Sequence, residues 1–403
     1  MSLVFNIEKF IGEAITHRSE SLFADDLKSF EVKLRTEIEG KKVLVIGGAG
    51  TIGSSYIRAL VKYNPAKLIV VDINENGLTE LVRDCRSRKD TPLPADFKTY
   101  PINFNDKVFA KIFNQEGPFD IVANFAAHKH VRSEKDIYSI EAMIDNNVIR
   151  AKGLLDLLLQ APPKHFFCVS TDKAANPVNV MGASKKLMEE VILSYSEKMK
   201  ITTARFANVA FSNGSLLAGF IERVLKQQPL SCPADVKRFF VSPDESGQIC
   251  LCACILGNSG EIFFPKLEEE TMVKFADIVE PFLNKIGYDI KVCGTEEEAR
   301  SEVSNIQNGT YPVYLFESNT SGEKMYEEFY TDDEDVDNNT YKAFGVIKNA
   351  ERRKIDELET IIDTLKKVFE SDNTDKKDIV VALGKMIPGF EHIETGLTLD
   401  QKM

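Results

Sequence analysis

The sequence has no excess of positive charge. The 403 residues carry 50 Lys and Arg against 62 Asp and Glu, a net charge of −12. That balance argues against non-specific nucleic-acid binding, which needs a basic face. A phosphate on a small ligand can still be met by backbone N–H groups and one or two cations. No apolar run approaches the ~18 residues of a membrane helix. Residues 1–10 also lack the basic start and apolar block of a signal peptide, so no membrane insertion is expected. The seven cysteines are an odd number, and none forms a C-x-x-C pair. Cys250, Cys252 and Cys254 alternate in an apolar run with no histidine beside them. They read as buried, reduced thiols rather than metal ligands, which implies a reducing, cytoplasmic setting. No internal repeat is found.

An apolar content of 43% is ordinary for a globular protein, and this length allows two packed units. Residues 1–40 are charged, with Phe5, Phe10, Ile11 and Ile15 at helical spacing. One or two helices are expected there, as an extension with a packing role. From residue 41, strand and helix patterns alternate. Strands are expected at 43–46, 68–71, 97–102, 121–125, 166–170 and 202–206, with helices between them, including 140–160 and 184–199. This is the order of an α/β, Rossmann-type doubly wound parallel sheet over 41–210. After about residue 211 the alternation weakens and short strands such as 261–264 appear. A smaller C-terminal substrate lobe over 211–345, with returns to the first domain, is expected. Residues 346–403 read as a helical extension.

The first strand runs into Gly47-Gly48-Ala49-Gly50-Thr51-Ile52-Gly53. A tight glycine turn lets the backbone approach a pyrophosphate, and the following helix offers it free N–H groups. The second strand ends in Asp72, placed to hold the adenosine ribose hydroxyls. That acid would repel a 2′-phosphate, which favours NAD over NADP. Asn103, Ala126 and Ala127, at the ends of the third and fourth strands, complete the expected cofactor site. The competing reading is a glycine turn needed only for packing.

The fifth strand runs into Ser170-Thr171-Asp172-Lys173, a hydroxyl, an acid and a base where parallel sheets place their ligands. Lys185 follows on the next helix. The whole stretch from 170 to 185, STDKAANPVNVMGASK, resembles the core of the bacterial UDP-N-acetylglucosamine 4,6-dehydratases. These are extended short-chain dehydrogenases of polysaccharide biosynthesis. Residues 124–131, 205–209 and 212–215 resemble further motifs of that family, and 322–328 resembles its late G-E-K-L-Y-E-E motif.

The resemblance implies an NAD-dependent lyase that turns a UDP-sugar into a 4-keto-6-deoxy sugar. Hydride leaves carbon 4, water is lost across carbons 5 and 6, and hydride returns to carbon 6. It implies that Thr171 binds the 4-hydroxyl and Asp172 is the acid for the departing 6-hydroxyl. Lys173 becomes the base at carbon 5, if its surroundings lower its pKa. Lys185 would hold the nicotinamide ribose. Asn146 or Asn147 would help position these groups. His130, Asn208, Ser215, Arg205 and Arg238 are the expected substrate contacts, with Lys237 a further candidate phosphate ligand. His128 is close enough in sequence to His130 to reach the same ligand. No metal is expected, because two histidines at i, i+2 without other clustered ligands make a poor zinc site.

Three departures stand out. Short-chain dehydrogenases usually carry tyrosine four residues before the lysine, and here Met181 stands there. A thioether cannot accept the 4-hydroxyl proton. Either the chain only binds nucleotide-sugars, or it resembles the branch with Met at this place, in which Asp172 takes that proton directly or through a water. Asn319-Thr320-Ser321 replace an arginine usual before the late motif. Longer members of the branch carry membrane helices ahead of this domain, whereas residues 1–40 read as a soluble extension. A 4-epimerase on the same scaffold is the alternative enzyme. A homo-oligomer is expected.

Overall fold

The computed structural model describes residues 5–318, 322, 324, 326–371 and 374–396. Asn319, Thr320, Ser321, Glu323 and Met325, named above in the late motif and before it, lie outside the described residues.

Three short helices come first: α1 (Ile7–Ala14), α2 (Ala24–Ser29) and α3 (Glu31–Ile38). Alternation then begins with β1 (Lys42–Ile46), α4 (Thr51–Val61), β2 (Lys67–Val71), α5 (Glu75–Ser87), β3 (Asp96–Tyr100) and α6 (Lys107–Glu116). It continues through β4 (Ile121–Asn124), α7 (Ile137–Ile144), α8 (Arg150–Leu158), β5 (His165–Val169), α9 (Val180–Ser194) and β6 (Ile201–Ala204). β1, β2, β4 and β5 are almost wholly buried runs of Val, Ile, Leu and Phe. Such strands need helices on both faces, which is why they pair in parallel.

The second half contributes α10 (Leu216–Leu225), β7 (Leu230–Pro233), α11 (Pro243–Leu256), β8 (Glu261–Pro265), α12 (Phe275–Lys285), β9 (Asp289–Cys293), α13 (Glu296–Ser301) and β10 (Thr310–Phe316). Then come β11 (Val336–Asp337), β12 (Phe344–Ile347), α14 (Ile355–Glu370) and α15 (Lys376–Met386). The main sheet has nine strands in the order β11-β12-β8-β6-β5-β4-β1-β2-β3. All neighbours from β3 to β8 run parallel, and β12 and β11 close the edge antiparallel. The order reverses between β1 and β4. That switch point opens a crevice at the carboxyl ends of the strands.

One expectation is corrected. Residues 261–264 were read as a strand of the smaller lobe. β8 instead extends the main sheet, parallel to β6, and α11 is the helix that leads into it. Pro243 and Gly247 lie within α11 rather than in loops. Pro243 opens α11 behind a Ser242–Glu245 capping box. Gly247 lies where α11 crosses α4, and a Cβ there would stand 2.3 Å from the Ser55 backbone. Cys250, Cys252 and Cys254 are buried on α11, a helix enclosed on all sides.

The smaller lobe is a parallel sheet, β9-β10-β7, beside α12. Its core joins Phe211, Phe220 and Phe282 to Phe10 and Ile11 of α1. α3 packs into the main core instead, and Phe23, just before α2, stacks on Phe344 of β12 at 4.3 Å. α14 and α15 pack on α9, and 13 of the 15 residues of α9 are buried. Among the described residues no helix is long and apolar enough to cross a membrane.

Candidate active site

The crevice at the β1/β4 switch point is a cleft of about 290 Å³. Of the ten residues expected around a cofactor, nine line it; only Lys185 does not. The glycines are there for backbone proximity. Gly47 has φ +75°, and a Cβ on it would stand 2.5 Å from the Ala126 nitrogen. A Cβ on Gly53 would stand 2.3 Å from the Gly47 carbonyl oxygen. The Asp72 carboxylate accepts from the backbone N–H of Ala49 at 2.9 Å and of Asn74 at 2.9 Å. The acid thus fixes the glycine turn while facing the cleft. The Asn213 N–H donates to Thr51 Oγ1 at 2.9 Å, which ties the lobe's loop to the first turn of α4.

Past the end of β5 the chain turns into a short 3-10 helix, 172–174. Asp172 is buried, and its Oδ1 accepts three bonds: from Thr171 Oγ1 at 2.7 Å, the Lys173 N–H at 2.9 Å and Lys173 Nζ at 3.2 Å. One oxygen takes all three, so Oδ2 carries none of them. Lys173 Nζ also lies 3.5 Å from the buried Glu327 carboxylate. Burial disfavours the Lys173 ammonium, but Asp172 and Glu327 outweigh it and raise its pKa above the ordinary lysine value. The condition set for Lys173 as a base, a lowered pKa, is not met by the protein alone: two carboxylates face this amine.

Met181 lies in the first turn of α9, almost fully buried. Its N–H donates to Glu134 Oε1 at 3.2 Å, and Glu134 Oε2 pairs with His392 Nε2 at 3.1 Å. The Ile393 N–H donates to Val178 O at 3.0 Å, and the Gly322 N–H to Ile393 O at 2.9 Å. The C-terminal tail thus straps the loop before α9 to the late motif. Lys185 is buried as well. Its Nζ donates to Val169 O at 2.6 Å, and burial holds its pKa below the usual value.

The choice between Asn146 and Asn147 resolves into two places. Asn146 lines the cleft. Asn147 is buried in a π-helical turn, 145–149, between α7 and α8, the kind of bulge often found at functional sites. Its amide accepts from the His128 N–H at 2.9 Å and donates to His128 O at 2.8 Å and Ser184 Oγ at 3.0 Å. It clamps the loop after β4 to α9. His130 packs against Gly214, whose Cβ would stand 2.9 Å from the ring. Desolvation and the neighbouring cations Lys129 and Arg132 keep His130 below the usual histidine pKa.

Ser215 caps α10, accepting from the Ala218 N–H at 3.2 Å. Asn208 is half-buried in a two-residue bridge with Phe240. Arg238 is buried, with Nη1 on the carbonyls of Lys237 and Lys324, and Lys237 is exposed. Arg205 is a correction. It is 0% exposed and forms a two-bond fork with Glu189, at 2.9 and 2.8 Å, and another with Glu334, at 2.8 and 2.9 Å. A guanidinium committed to two carboxylates inside the core does not reach a ligand phosphate. Glu327, Glu134 and His392 were not singled out from sequence. Glu327 stood within the quoted late motif, but nothing in its spacing pointed to Lys173.

Residues 43–349 match the family described as polysaccharide biosynthesis protein. An uncharacterized membrane protein of Methanocaldococcus jannaschii is 33% identical over 73% of this chain and 81% of its own. A UDP-N-acetylglucosamine 4,6-dehydratase (inverting) of Campylobacter jejuni is 25% identical over 69% of this chain and 81% of its own. The chain spans about half the length of two other relatives, the probable polysaccharide biosynthesis protein EpsC of Bacillus subtilis (28% identical, 75% of this chain, 47% of that protein) and the capsular polysaccharide biosynthesis protein CapD of Staphylococcus aureus (30%, 73% and 48%). UDP-glucose 4-epimerase of Rickettsia typhi is 27% identical over 58% of this chain and 68% of its own. The X-ray structure of Pen from Bacillus thuringiensis shares the fold with a TM-score of 0.62 at 22% identity, covering 79% of this chain and 91% of that one. On the family match and the Methanocaldococcus relative, this chain belongs to the polysaccharide biosynthesis protein family, built on a Rossmann-type dehydrogenase fold.

Proposed function

We propose that the chain is a nucleotide-sugar 4,6-dehydratase that uses NAD and acts on a UDP-N-acetylhexosamine, UDP-N-acetylglucosamine foremost. One observation carries the reading. Thr171, Asp172 and Lys173 bring a hydroxyl, a carboxylate and an ammonium together at the carboxyl end of β5, in a chain with Met181 where a tyrosine base would stand. The cleft suits the cofactor: glycine at 47 and 53, where a Cβ would strike the Ala126 nitrogen and the Gly47 carbonyl, lets the turn close tightly with the first turn of α4 lining the cleft, the arrangement that receives a pyrophosphate. Asp72 faces the same cleft and suits two ribose hydroxyls better than a 2′-phosphate.

Bound there, NAD supplies a hydride acceptor for sugar carbon 4 and the same hydride for carbon 6. Thr171 hydrogen-bonds the 4-hydroxyl, and Asp172 takes its proton through the free Oδ2. The new ketone acidifies carbon 5. Lys173 removes that proton while Asp172 returns its own to the departing 6-hydroxyl, which leaves as water. Lys185, on the Val169 carbonyl, is the cation behind these groups. His130, Asn208, Ser215 and Arg238 are proposed as contacts to the nucleotide-sugar. A 4-epimerase would use a base at the 4-hydroxyl and no group at carbon 5, so the adjacent Asp172 and Lys173 favour dehydration.

The test is incubation of the purified protein with UDP-N-acetylglucosamine in deuterated water, followed by proton NMR and mass spectrometry. A product lighter by one water, before isotope exchange, with a new methyl signal at carbon 6 supports the reading. Unchanged substrate with bound NAD speaks for a protein that only binds nucleotide-sugars. A second expectation concerns the cradle. Gly53→Ala drives a methyl group into the Gly47 carbonyl. It should cost about 1–3 kcal/mol of stability and abolish NAD binding, read by thermal melting and by titration with NADH fluorescence. Wild-type affinity would contradict the assignment of this cleft.

A further inference from the structure

Glu327 lies far along the chain from the β5 loop, yet its carboxylate is buried 3.5 Å from Lys173 Nζ. Three other charged groups face it. Asp172 comes from the β5 loop, Arg238 from the segment before α11, and Lys324 from Glu327's own segment. Arg238 turns Nη1 to the carbonyls of Lys237 and Lys324. Lys324 Nζ lies 4.0 Å from Glu328. Lys173 itself stands between two carboxylates, Asp172 and Glu327.

A charged lysine cannot take a proton from carbon 5; it must lose one first. Asp172 is not free to accept it, because at that stage it holds the 4-hydroxyl proton destined for the leaving water. We infer that Glu327 is a positioning residue for Lys173, holding the lysine beside Asp172 and taking up its proton so that a neutral amine meets carbon 5. This rests on the dehydratase reading above.

The protons balance. The Lys173 ammonium gives one proton to the Glu327 carboxylate, leaving an amine and a carboxylic acid. The amine takes the carbon 5 proton. The electrons of that C–H bond form the carbon 5–carbon 6 double bond as the carbon 6–oxygen bond breaks, and Asp172 protonates the leaving hydroxyl. Once carbon 6 has received its hydride, Lys173 returns a proton to carbon 5 and Glu327 returns its proton to Lys173. Burial, the largest influence on Glu327, raises its carboxyl pKa, with Asp172 adding to the effect and Lys173 opposing it. A carboxylate so placed accepts a proton more readily than an exposed one.

The experiment compares the NAD-loaded wild type with Glu327→Gln and Glu327→Asp. One arm needs no substrate: labelling of Lys173 by acetic anhydride across pH, followed by peptide mass spectrometry. Removing a carboxylate that favours the ammonium should move the labelling half-point of Glu327→Gln down by about one pH unit, with Glu327→Asp in between. The other arm is turnover of UDP-N-acetylglucosamine. Glu327→Gln should lower kcat on the order of 10-fold or more, with KM little changed and partial recovery in Glu327→Asp. An unmoved half-point overturns the inference, as does a loss confined to KM and melting temperature. A half-point that moves in Glu327→Gln while the wild type makes no 4-keto product leaves the Glu327–Lys173 coupling standing and overturns the dehydratase reading instead. If Glu327→Gln does not fold, Glu327→Asp alone decides both arms.

Discussion

Asp172→Asn is expected to lower kcat by about 10²–10⁴-fold, the range for loss of a positioned acid–base group, while nucleotide-sugar affinity stays within a few-fold. The amide keeps the carboxylate's shape, so its oxygen can still accept from Thr171 and Lys173. What it loses is the capacity to take one proton and give it back. In the proposed reaction Asp172 makes two transfers with one proton, taking it from the 4-hydroxyl and giving it to the 6-hydroxyl. No tyrosine stands at 181 to share the first task. Single-turnover kinetics, with isothermal titration of the UDP-sugar on the same sample, separate the two effects. Wild-type turnover would remove Asp172 from the chemistry.

Arg205→Ala is expected to be the most destabilising single change, at about 3–5 kcal/mol. Arg205 makes four bonds to Glu189 and Glu334, and the pair with Glu189 is entirely buried. Truncation leaves the buried Glu189 and the part-buried Glu334 without their guanidinium partner. Such a loss is a large share of the ~5–15 kcal/mol that holds a domain folded. Arg205→Lys should rescue little, since an ammonium cannot match two forks. Arg205→Met combined with Glu189→Met should recover part of the loss, because the pair is then removed together. The pH dependence has a definite sign. Burial opposes ionisation of Glu189, but Arg205 outweighs it and holds the carboxyl below the usual glutamate value. That stabilisation is present above the unfolded-state pKa and is lost as pH falls through the folded one. Urea unfolding at neutral and acid pH measures both. Glu189 also accepts from Ser170 Oγ at 2.6 Å, so the triad steadies the end of β5 and Arg205→Ala should lose activity through disorder there.

The contrast between Asp172 and Arg205 shows which parts of this molecule its sequence makes readable. β1, the glycine turn, α4 and Asp72 follow one another within thirty-one residues, and each step is a local rule: a buried apolar run, a turn only glycine can make, a helix start, an acid at the next strand's end. Thr171 to Lys173 were readable for the same reason, being adjacent at a strand end. Arg205 was not. A cation next to a substrate-site motif reads as a ligand group until its partners are known, and Glu189 and Glu334 come from α9 and from a loop more than a hundred residues on. The surroundings of Lys173 were equally hidden, because Glu327 reaches it from far along the chain. After about residue 211 the alternation was expected to weaken, and nothing local marked α11, with its Pro243 and Gly247, as one more helix of the main sheet. Those two residues give a helix start and a close crossing with α4.

The proposed internal redox elimination carries the hydride from carbon 4 to carbon 6 of one sugar, and one labelled substrate tests it. UDP-N-acetylglucosamine carrying deuterium at carbon 4 is incubated with the NAD-loaded protein in ordinary water, and the position of the label is read by NMR. The deuterium is expected to move to the carbon 6 methyl of a 4-keto product. Deuterium returned to carbon 4 of an inverted sugar would mean an epimerase, and label left in unreacted substrate would mean a binding protein; either result contradicts it.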